Sequence, residues 1–214
     1  RFFERMEIKD ALAYLRLLTN RADDAAFERA VNTPPRGIGG KTLDEVRRHA
    51  RDRAVPLWDA AVALSAGNEL PGRARNALRA FADLVDALQA GTADSPLHEQ
   101  FDHVIANSGL RAHYAAESKG QLDSRTENLD ELVSVAAGVE RATAEHTYRF
   151  AATRAYDTLV SQRITELREK AIPGTQTMGE FMQRRLSPAM ATVAATAQRL
   201  ASLSERISRA SDLL

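Results

Sequence analysis

The chain has 214 residues with 29 basic and 29 acidic side chains, 44% hydrophobic residues and no cysteine. This length allows one or two domains, and zero net charge provides no overall attraction to polyanions. The missing cysteines exclude disulfides, thiol nucleophiles and thiolate metal sites.

No apolar run approaches the roughly 20 residues that span a bilayer, and no signal peptide is visible. We therefore expect a cytoplasmic protein without a membrane segment. Because it begins with Arg rather than Met, the sequence suggests a piece of a longer chain.

Helical periodicity begins at once, with apolar residues at three- and four-residue steps through residues 4–19. Asp23 or Asp24 can cap a second short helix, and Thr42 can cap a third. The segment between them, residues 32–40, contains two prolines and three glycines. Since proline removes a backbone donor and glycine permits positive φ, this segment is predicted to be a turn between two helices.

More helices are predicted up to Gly138. Pro56 suits the first turn of a helix that carries Trp58, a side chain we expect in the core rather than on a base-stacking surface. A longer amphipathic helix covers residues 72–90 and ends at Gly91, and another helix opens at Pro96. Asp123 or Ser124 caps a further helix that runs through Val135.

After Gly138 the character of the sequence changes. Residues 1–139 carry 18 basic and 21 acidic side chains, whereas residues 140–214 carry 11 and 8. One long helix is predicted over 141–170, ended by Pro173-Gly174, and a second from about 177 to the C-terminus, bent at Pro188. Near-heptad spacing favours a helical hairpin or coiled coil; it is shown by Leu200, Leu203, Ile207 and Leu213.

The predicted fold is therefore all-α, with two parts. Residues 1–138 form a compact multi-helix domain, and residues 139–214 form a helical hairpin or coiled-coil segment of separate origin. The junction is expected near 136–143, where the charge balance and the character of the helices both change.

The segment most informative about function is the Gly-Ile-Gly turn, residues 36–42, which lies between two predicted helices. Ile38 can anchor the turn in the core, while Gly37 and Gly39 permit a tight turn and a close approach to another molecule. Exposed amides at a helix N-terminus attract anions, and basic residues lie beside them. The pattern is that of a helix-hairpin-helix, and we predict that it binds DNA phosphates through Arg36, Gly37, Ile38, Gly39, Gly40, Lys41 and Thr42.

Two other features of this region have alternative interpretations. Seven basic residues against three acidic ones in 29–53 suggest a phosphate-facing patch, although a solvated helix face is the simpler explanation of such a cluster taken alone. The Gly-Gly-Lys-Thr sequence at 39–42 is similar to the end of a nucleotide-binding loop. However, that motif needs a glycine at position 35, where this chain has Pro35, and a preceding apolar strand. ATP binding at this turn is therefore rejected.

Several runs resemble the UvrD/PcrA/Rep family of DNA helicases. A run of the type F-x-R-x-E-I-K-D is present at 3–10, and the run from Asp23 to Thr42 contains N-x-P-x-R-G-I-G. Leu57-Trp58, Ser108–Arg111 and the R-x-E-N-L-x-E-L run at 125–132 also fit the family. The resemblance covers about residues 1–138.

This resemblance implies that residues 1–138 are the 2B accessory subdomain, a mobile helical insertion of an ATP-dependent helicase active in DNA unwinding and repair. It implies that the Gly-Ile-Gly turn contacts duplex DNA and that the partners are double-stranded DNA and the helicase motor domains. The ATPase motifs of the family do not occur here, so ATP and magnesium are expected elsewhere in the parent helicase, and this fragment is not expected to be catalytically active alone. The remainder, from about residue 141, resembles a different bacterial family of unknown function, which suggests a chimera.

A competing hypothesis makes the chain a structural or protein-interaction module, in which the C-terminal hairpin self-associates and the Gly-Ile-Gly turn is only a corner. No catalytic constellation is apparent. The two closest histidines, His98 and His103, are five residues apart, which is not the three- or four-residue spacing of metal ligands on one helix face. No metal site is therefore expected.

Overall fold

The computed structural model describes residues 2–93, 95–117 and 124–213, with side chains described up to residue 202. Within these ranges the chain forms α-helices and one short 3-10 helix, Phe2–Glu4, and no strand. The all-α prediction is confirmed. In chain order the helices are α1 (Met6–Thr19), α2 (Asp24–Ala30), α3 (Gly40–Arg53), α4 (Leu57–Ala66), α5 (Gly72–Thr92), α6 (Leu97–Asn107), α7 (Leu110–Glu117), α8 (Ser124–Glu166) and α9 (Met178–Leu213).

The chain divides into two compact units, and the division falls between Gly138 and Val139. Residues 1–138 make the body of the first unit and residues 139–209 the second.

Helix α1 lies at the centre of the first unit, where it packs against α2, α5, α6 and α7. Its inward face buries Ile8, Tyr14 and Leu17 completely. Beside it, Phe27, Trp58 and Phe81 contact one another edge-to-face with centroid separations of 5.9 to 6.5 Å. Aromatic pairs of this geometry contribute about 0.5–1.5 kcal/mol each beyond the area that they bury. The prediction that Trp58 belongs to the core is confirmed, since only 8% of it is exposed.

Two buried carboxylates on α1 fix the later helices of this unit. Glu7 and Asp10 are 4% and 3% exposed. Asn128 Nδ2 at the start of α8 donates to Glu7 Oε1 over 2.6 Å, and the Tyr114 hydroxyl of α7 donates to Asp10. Arg29 forms an ion pair with Asp10 over 2.6 Å. Burial, together with the hydrogen bond to Asp10, raises the pKa of Tyr114, so its hydroxyl stays protonated and remains a donor.

Several predicted helix ends can be compared with the structure. Asp23 caps α2 through a 2.9 Å hydrogen bond from the Ala26 amide, as expected. The prediction that Thr42 caps α3 is wrong: the helix begins at Gly40, and its N-cap residue is Gly39, which has no side chain to form a cap. The separate helices expected to end near 135 and to begin at 141 are one helix, α8. The alternative cap at Asp123 lies outside the described residues.

The second unit is a pair of helices in which no described side chain of residues 139–202 is buried. Half-buried residues recur at three- and four-residue steps on both helices, a spacing that gives each helix one contact stripe. The stripes are Phe150, Thr153, Asp157, Val160 and Ile164 on α8, and Met182, Leu186, Met190, Val193, Ala197 and Leu200 on α9. The predicted heptad positions Leu203, Ile207 and Leu213 have side chains outside the described part.

The N-terminus of α9 is capped by side chains that precede the helix and by one in its first turn. Thr177 Oγ1 accepts from the Glu180 amide over 3.1 Å, and the Glu180 carboxylate accepts from the Thr177 amide over 3.4 Å, which is a reciprocal capping box. Glu169 accepts from the amides of Met178 and Gly179 over 3.2 and 2.8 Å. These bonds explain why α9 begins where it does. None of the described helices combines the length and the apolar character that crossing a membrane requires.

Gly91 should be intolerant of a side chain because helix α6 packs directly on it. A Cβ at this position would lie 2.3 Å from His103 Nε2. We expect Gly91→Ala to lower the free energy of unfolding by about 1–3 kcal/mol, measured by urea denaturation. The matched control is Gly138→Ala in α8, where a Cβ meets nothing within 4 Å. That change should be neutral or stabilising by up to about 1 kcal/mol. Equal effects of the two substitutions would contradict the close α5–α6 contact.

Asn128→Ala should be strongly destabilising because it leaves the buried Glu7 carboxylate without this donor. We expect a loss of about 3 kcal/mol in the free energy of unfolding. The neighbouring Glu127 is exposed, so Glu127→Ala should change stability by less than about 0.5 kcal/mol. A small effect of Asn128→Ala would mean that water replaces the lost donor and that the contact does not hold α8.

Candidate nucleic-acid interface

The Gly-Ile-Gly turn connects α2 to α3, and its middle residue is anchored as the sequence predicts. Ile38 is 1% exposed and belongs to the core of the first unit. Gly37 has φ of +74°, a conformation that favours glycine. Asn32 is exposed and supports the turn through two hydrogen bonds: its Nδ2 donates to the Ile38 carbonyl over 3.2 Å, and its Oδ1 accepts from the Arg36 amide over 2.9 Å. The turn is thus a fixed corner with one buried side chain.

The outer surface of this turn presents backbone amides. The Thr42 and Leu43 amides donate to the Gly39 carbonyl over 2.9 and 3.2 Å. The amides of Gly40 and Lys41, at the start of α3, have no acceptor among the described residues. A Cβ at Gly37, Gly39 or Gly40 would meet nothing within 4 Å, so this surface is open. With the positive end of the α3 dipole, these two amides form a local anion-attracting surface.

Lys41 is exposed beside these amides and has no ion-pair partner in the described part of the chain. An ammonium on a flexible stem at the first turn of a helix can reach an anion bound to the amides. Of the predicted contact residues, the structure therefore brings Gly39, Gly40 and Lys41 together on one exposed surface, whereas Thr42 is half-buried and its amide is bonded to the Gly39 carbonyl.

Arg36 is placed differently from the prediction, because its guanidinium turns inward. Its Nη1 donates to the carbonyls of Ala30 and Pro34 over 3.0 and 3.1 Å, and its Nη2 donates to the carbonyl of Ser108 over 2.9 Å and to the Tyr14 hydroxyl. The guanidinium carbon also lies 5.4 Å from the centre of the Phe81 ring. A guanidinium with four internal acceptors is occupied, so the structure changes the role that we expect of Arg36 from direct contact to support of the turn.

The buried side chain of Tyr14 accepts a hydrogen bond from Arg36. Its hydroxyl donates to the Thr33 carbonyl over 2.6 Å and accepts from Arg36. Burial raises the pKa of Tyr14 to about 12, although the positive charge of Arg36 opposes the shift. The hydroxyl is therefore protonated at neutral pH. The contribution of this protonated hydroxyl to the free energy of unfolding is complete below pH 10. It is lost only as the pH rises through about 12, the pKa of Tyr14 in the folded protein.

The basic patch predicted over 29–53 is partly neutralised, since three of its seven basic side chains pair with acidic neighbours. Arg47 pairs with Glu28 and Asp44, Arg48 pairs with Glu45, and Arg29 pairs with Asp10. Lys41, Arg51 and Arg53 are exposed and have no ion-pair partner within the described residues. Lys41 and Arg51 are ten residues apart on α3, a separation of about 15 Å, so they do not form one cluster.

Sequence reasoning did not identify three residues that shape this surface. Asn32, Tyr14 and Ser108 are separated by up to 94 positions, and each contacts Arg36. Asn32 could have been singled out because it opens the N-x-P-x-R-G-I-G run, but nothing local indicates the roles of Tyr14 and Ser108. In the described part of the chain no group of three or more His, Asp or Glu residues could hold a metal ion.

Two family models match the chain. Residues 1–69 match the UvrD-like helicase C-terminal domain, and residues 104–214 match a protein family of unknown function, DUF3422. DNA helicase II of Escherichia coli strain K12 is 58% identical over 134 residues, which are 63% of this chain and 19% of that protein. ATP-dependent DNA helicase UvrD1 of Mycobacterium tuberculosis strain H37Rv is 40% identical over 138 residues, 64% of this chain and 18% of that protein.

PcrA of Staphylococcus aureus strain Mu50, another ATP-dependent DNA helicase, is 32% identical over 146 residues, 67% of this chain and 20% of that protein. The chain thus spans about a fifth of the length of these relatives. Together with the all-helical first unit, these matches define a segment derived from UvrD-type DNA helicases, as the sequence resemblance indicated.

The chain also belongs to the DUF3422 family, whose model matches more than half of it. Matches to two different families along one chain are consistent with a chimera.

Proposed function

We propose that the first unit is the 2B-type accessory subdomain of a UvrD-type helicase and that it binds the backbone of duplex DNA without sequence preference. The observation that supports this most directly is the open surface of the turn, where the amides of Gly40 and Lys41 and the Lys41 ammonium lie together. The second support is the 58% identity to a DNA helicase over 134 residues.

The chemistry of the surface suits a phosphate. Two amides at the N-terminus of α3 donate to phosphate oxygens, the helix dipole favours the negative charge, and Lys41 adds a full positive charge. Contacts of this kind position a duplex but carry no information about its bases. In this proposal the helix-hairpin-helix formed by α2, the turn and α3 contacts the duplex, and Ile38 and Arg36 support it from within.

The proposed role within a helicase is the one that the family resemblance of the sequence implies. In this proposal the motor domains of the parent helicase bind ATP and magnesium, and the first unit moves relative to those domains while it holds the duplex. The chain itself contributes a DNA contact and no ATP hydrolysis. Few phosphate contacts imply weak binding at physiological salt.

Lys41→Ala tests the direct contact. Loss of one phosphate partner should weaken binding of a labelled duplex and reduce the slope of log affinity against log salt by about 1, equally for duplexes of different sequence. Fluorescence anisotropy at several salt concentrations measures both quantities. Lys170→Ala is the matched control, because Lys170 is an exposed lysine of the second unit. An unchanged slope in Lys41→Ala would remove this lysine from the interface. If the unmodified chain showed no salt-dependent binding, the proposed function would be wrong.

A second candidate function, self-association of the second unit, is favoured by another apolar face on α8. Tyr148, Tyr156 and Leu159 are 74%, 69% and 52% exposed. Their spacing of eight and three residues places them on one side of the helix, away from the stripe that faces α9. Helices in proteins gain most of their stability from packing an apolar face, so a second copy of the hairpin is a suitable partner for this one.

Tyr156→Glu together with Leu159→Glu tests that candidate. Two charges on the exposed face should abolish concentration-dependent dimerisation of the full chain in sedimentation equilibrium, since each would be desolvated at the interface. The control is Thr158→Glu, an exposed position on neither apolar face. A chain that is monomeric at every concentration, or dimers that persist in the double variant, would exclude self-association through this face.

A further inference from the structure

Arg36 connects two distant parts of the first unit. Its Nη1 contacts carbonyls at the end of α2 and in the turn, Ala30 and Pro34. Its Nη2 reaches the carbonyl of Ser108, 72 positions away, in the corner between α6 and α7. Pro34 also lies against that corner, since a Cβ on Gly109 would be 3.5 Å from Pro34 Cγ. One guanidinium therefore holds the Gly-Ile-Gly turn against the α6–α7 corner.

The fork geometry of the side chain is what makes this possible. Five donors in a planar group can satisfy several carbonyls at once, whereas an ammonium or an amide satisfies fewer in fixed directions. The face of the group also rests near the aromatic rings of Tyr14 and Phe81, with 5.6 and 5.4 Å to the ring centres. Asn32 completes the support through its bonds to the Arg36 amide and the Ile38 carbonyl.

We infer that Arg36 and Asn32 are positioning residues, which set the orientation of the exposed amides of Gly40 and Lys41 toward a DNA phosphate without contacting it themselves. The inference rests on the proposed function, which it deepens by separating residues that hold the surface from the residue that touches the ligand. It also departs from the sequence-based expectation, in which Arg36 and Lys41 contact phosphate in the same way.

Salt dependence distinguishes the two roles. A residue that neutralises a phosphate contributes to the slope of log affinity against log salt, whereas a residue that only orients other donors changes affinity and leaves the slope unchanged. In the full chain we expect Arg36→Lys and Arg36→Gln to weaken duplex binding equally, by about tenfold, with the slope of the unmodified protein. Asn32→Ala, which removes no charge, should behave in the same way, while Lys41→Ala lowers the slope.

The opposite pattern would overturn the inference. If Arg36 touched a phosphate, Arg36→Lys would keep most of the affinity, and Arg36→Gln would lower the slope by about 1. Affinities measured well below each variant's unfolding temperature, with helix content checked by circular dichroism, exclude loss of binding through unfolding.

Amide hydrogen exchange without DNA provides a test that does not depend on binding. Arg36→Lys should speed exchange at the hydrogen-bonded amides of position 36, Leu43 and Leu110, which belong to the turn, the first turn of α3 and the α6–α7 corner. Exchange in α4 should not change. Uniform acceleration across the unit would indicate general destabilisation, and no change would show that the guanidinium supports nothing; either result overturns the inference. If the unmodified chain fails to bind DNA while exchange rises locally, the proposed function fails but Arg36 still holds the turn.

Discussion

The first unit depends on the need to satisfy two carboxylates buried on its central helix. Glu7 and Asp10 are removed from water, and an unpaired buried charge would cost several kcal/mol. Their partners come from α2, α7 and α8, which lie between 19 and 121 positions further along the chain. Apolar burial alone would allow these helices to slide against α1, whereas hydrogen bonds to fixed oxygen atoms specify one arrangement. The unit thereby gains a rigid frame on which the turn between α2 and α3 is held.

Much of this fold could be predicted from the local sequence, whereas the features that depend on long-range contacts could not. Periodicity and capping residues located most helices, and the apolar residue between two glycines correctly indicated that Ile38 is buried. Thr42 was misjudged as a cap because Gly39 can begin α3 without a side chain. The inward turn of Arg36 could not be predicted, since its acceptors include a carbonyl 72 positions away. Similarly, counting basic residues gave a patch, but only the structure shows that Arg29, Arg47 and Arg48 are each paired with a carboxylate.

The family boundaries and the structural boundary do not coincide. The match to the family of unknown function begins at residue 104, inside α6, whereas the compact units divide after Gly138. Residues between these positions make the bonds that close the first unit, through Ser108, Tyr114 and Asn128. Physically, residues 104–138 therefore belong with the helicase-derived part. The R-x-E-N-L-x-E-L run leads to the same conclusion, because its Asn128 bonds directly to Glu7 of the first helicase-like run.

The balance of charge at the turn determines what kind of contact it can make. With one free lysine and two free amides, the surface offers about one full charge to a duplex, which is far less than the six or more phosphate contacts of a protein that binds DNA strongly by itself. Such a weak contact becomes effective when other domains of the same protein hold the turn close to the duplex. The turn is then present at a high effective concentration, which compensates for much of its low intrinsic affinity. Weak, sequence-independent binding is also easily released. A turn with a single free lysine thus suits the proposed role of holding DNA briefly and repeatedly, and the proposed positioning by Arg36 and Asn32, through their hydrogen bonds, would keep that turn in one orientation.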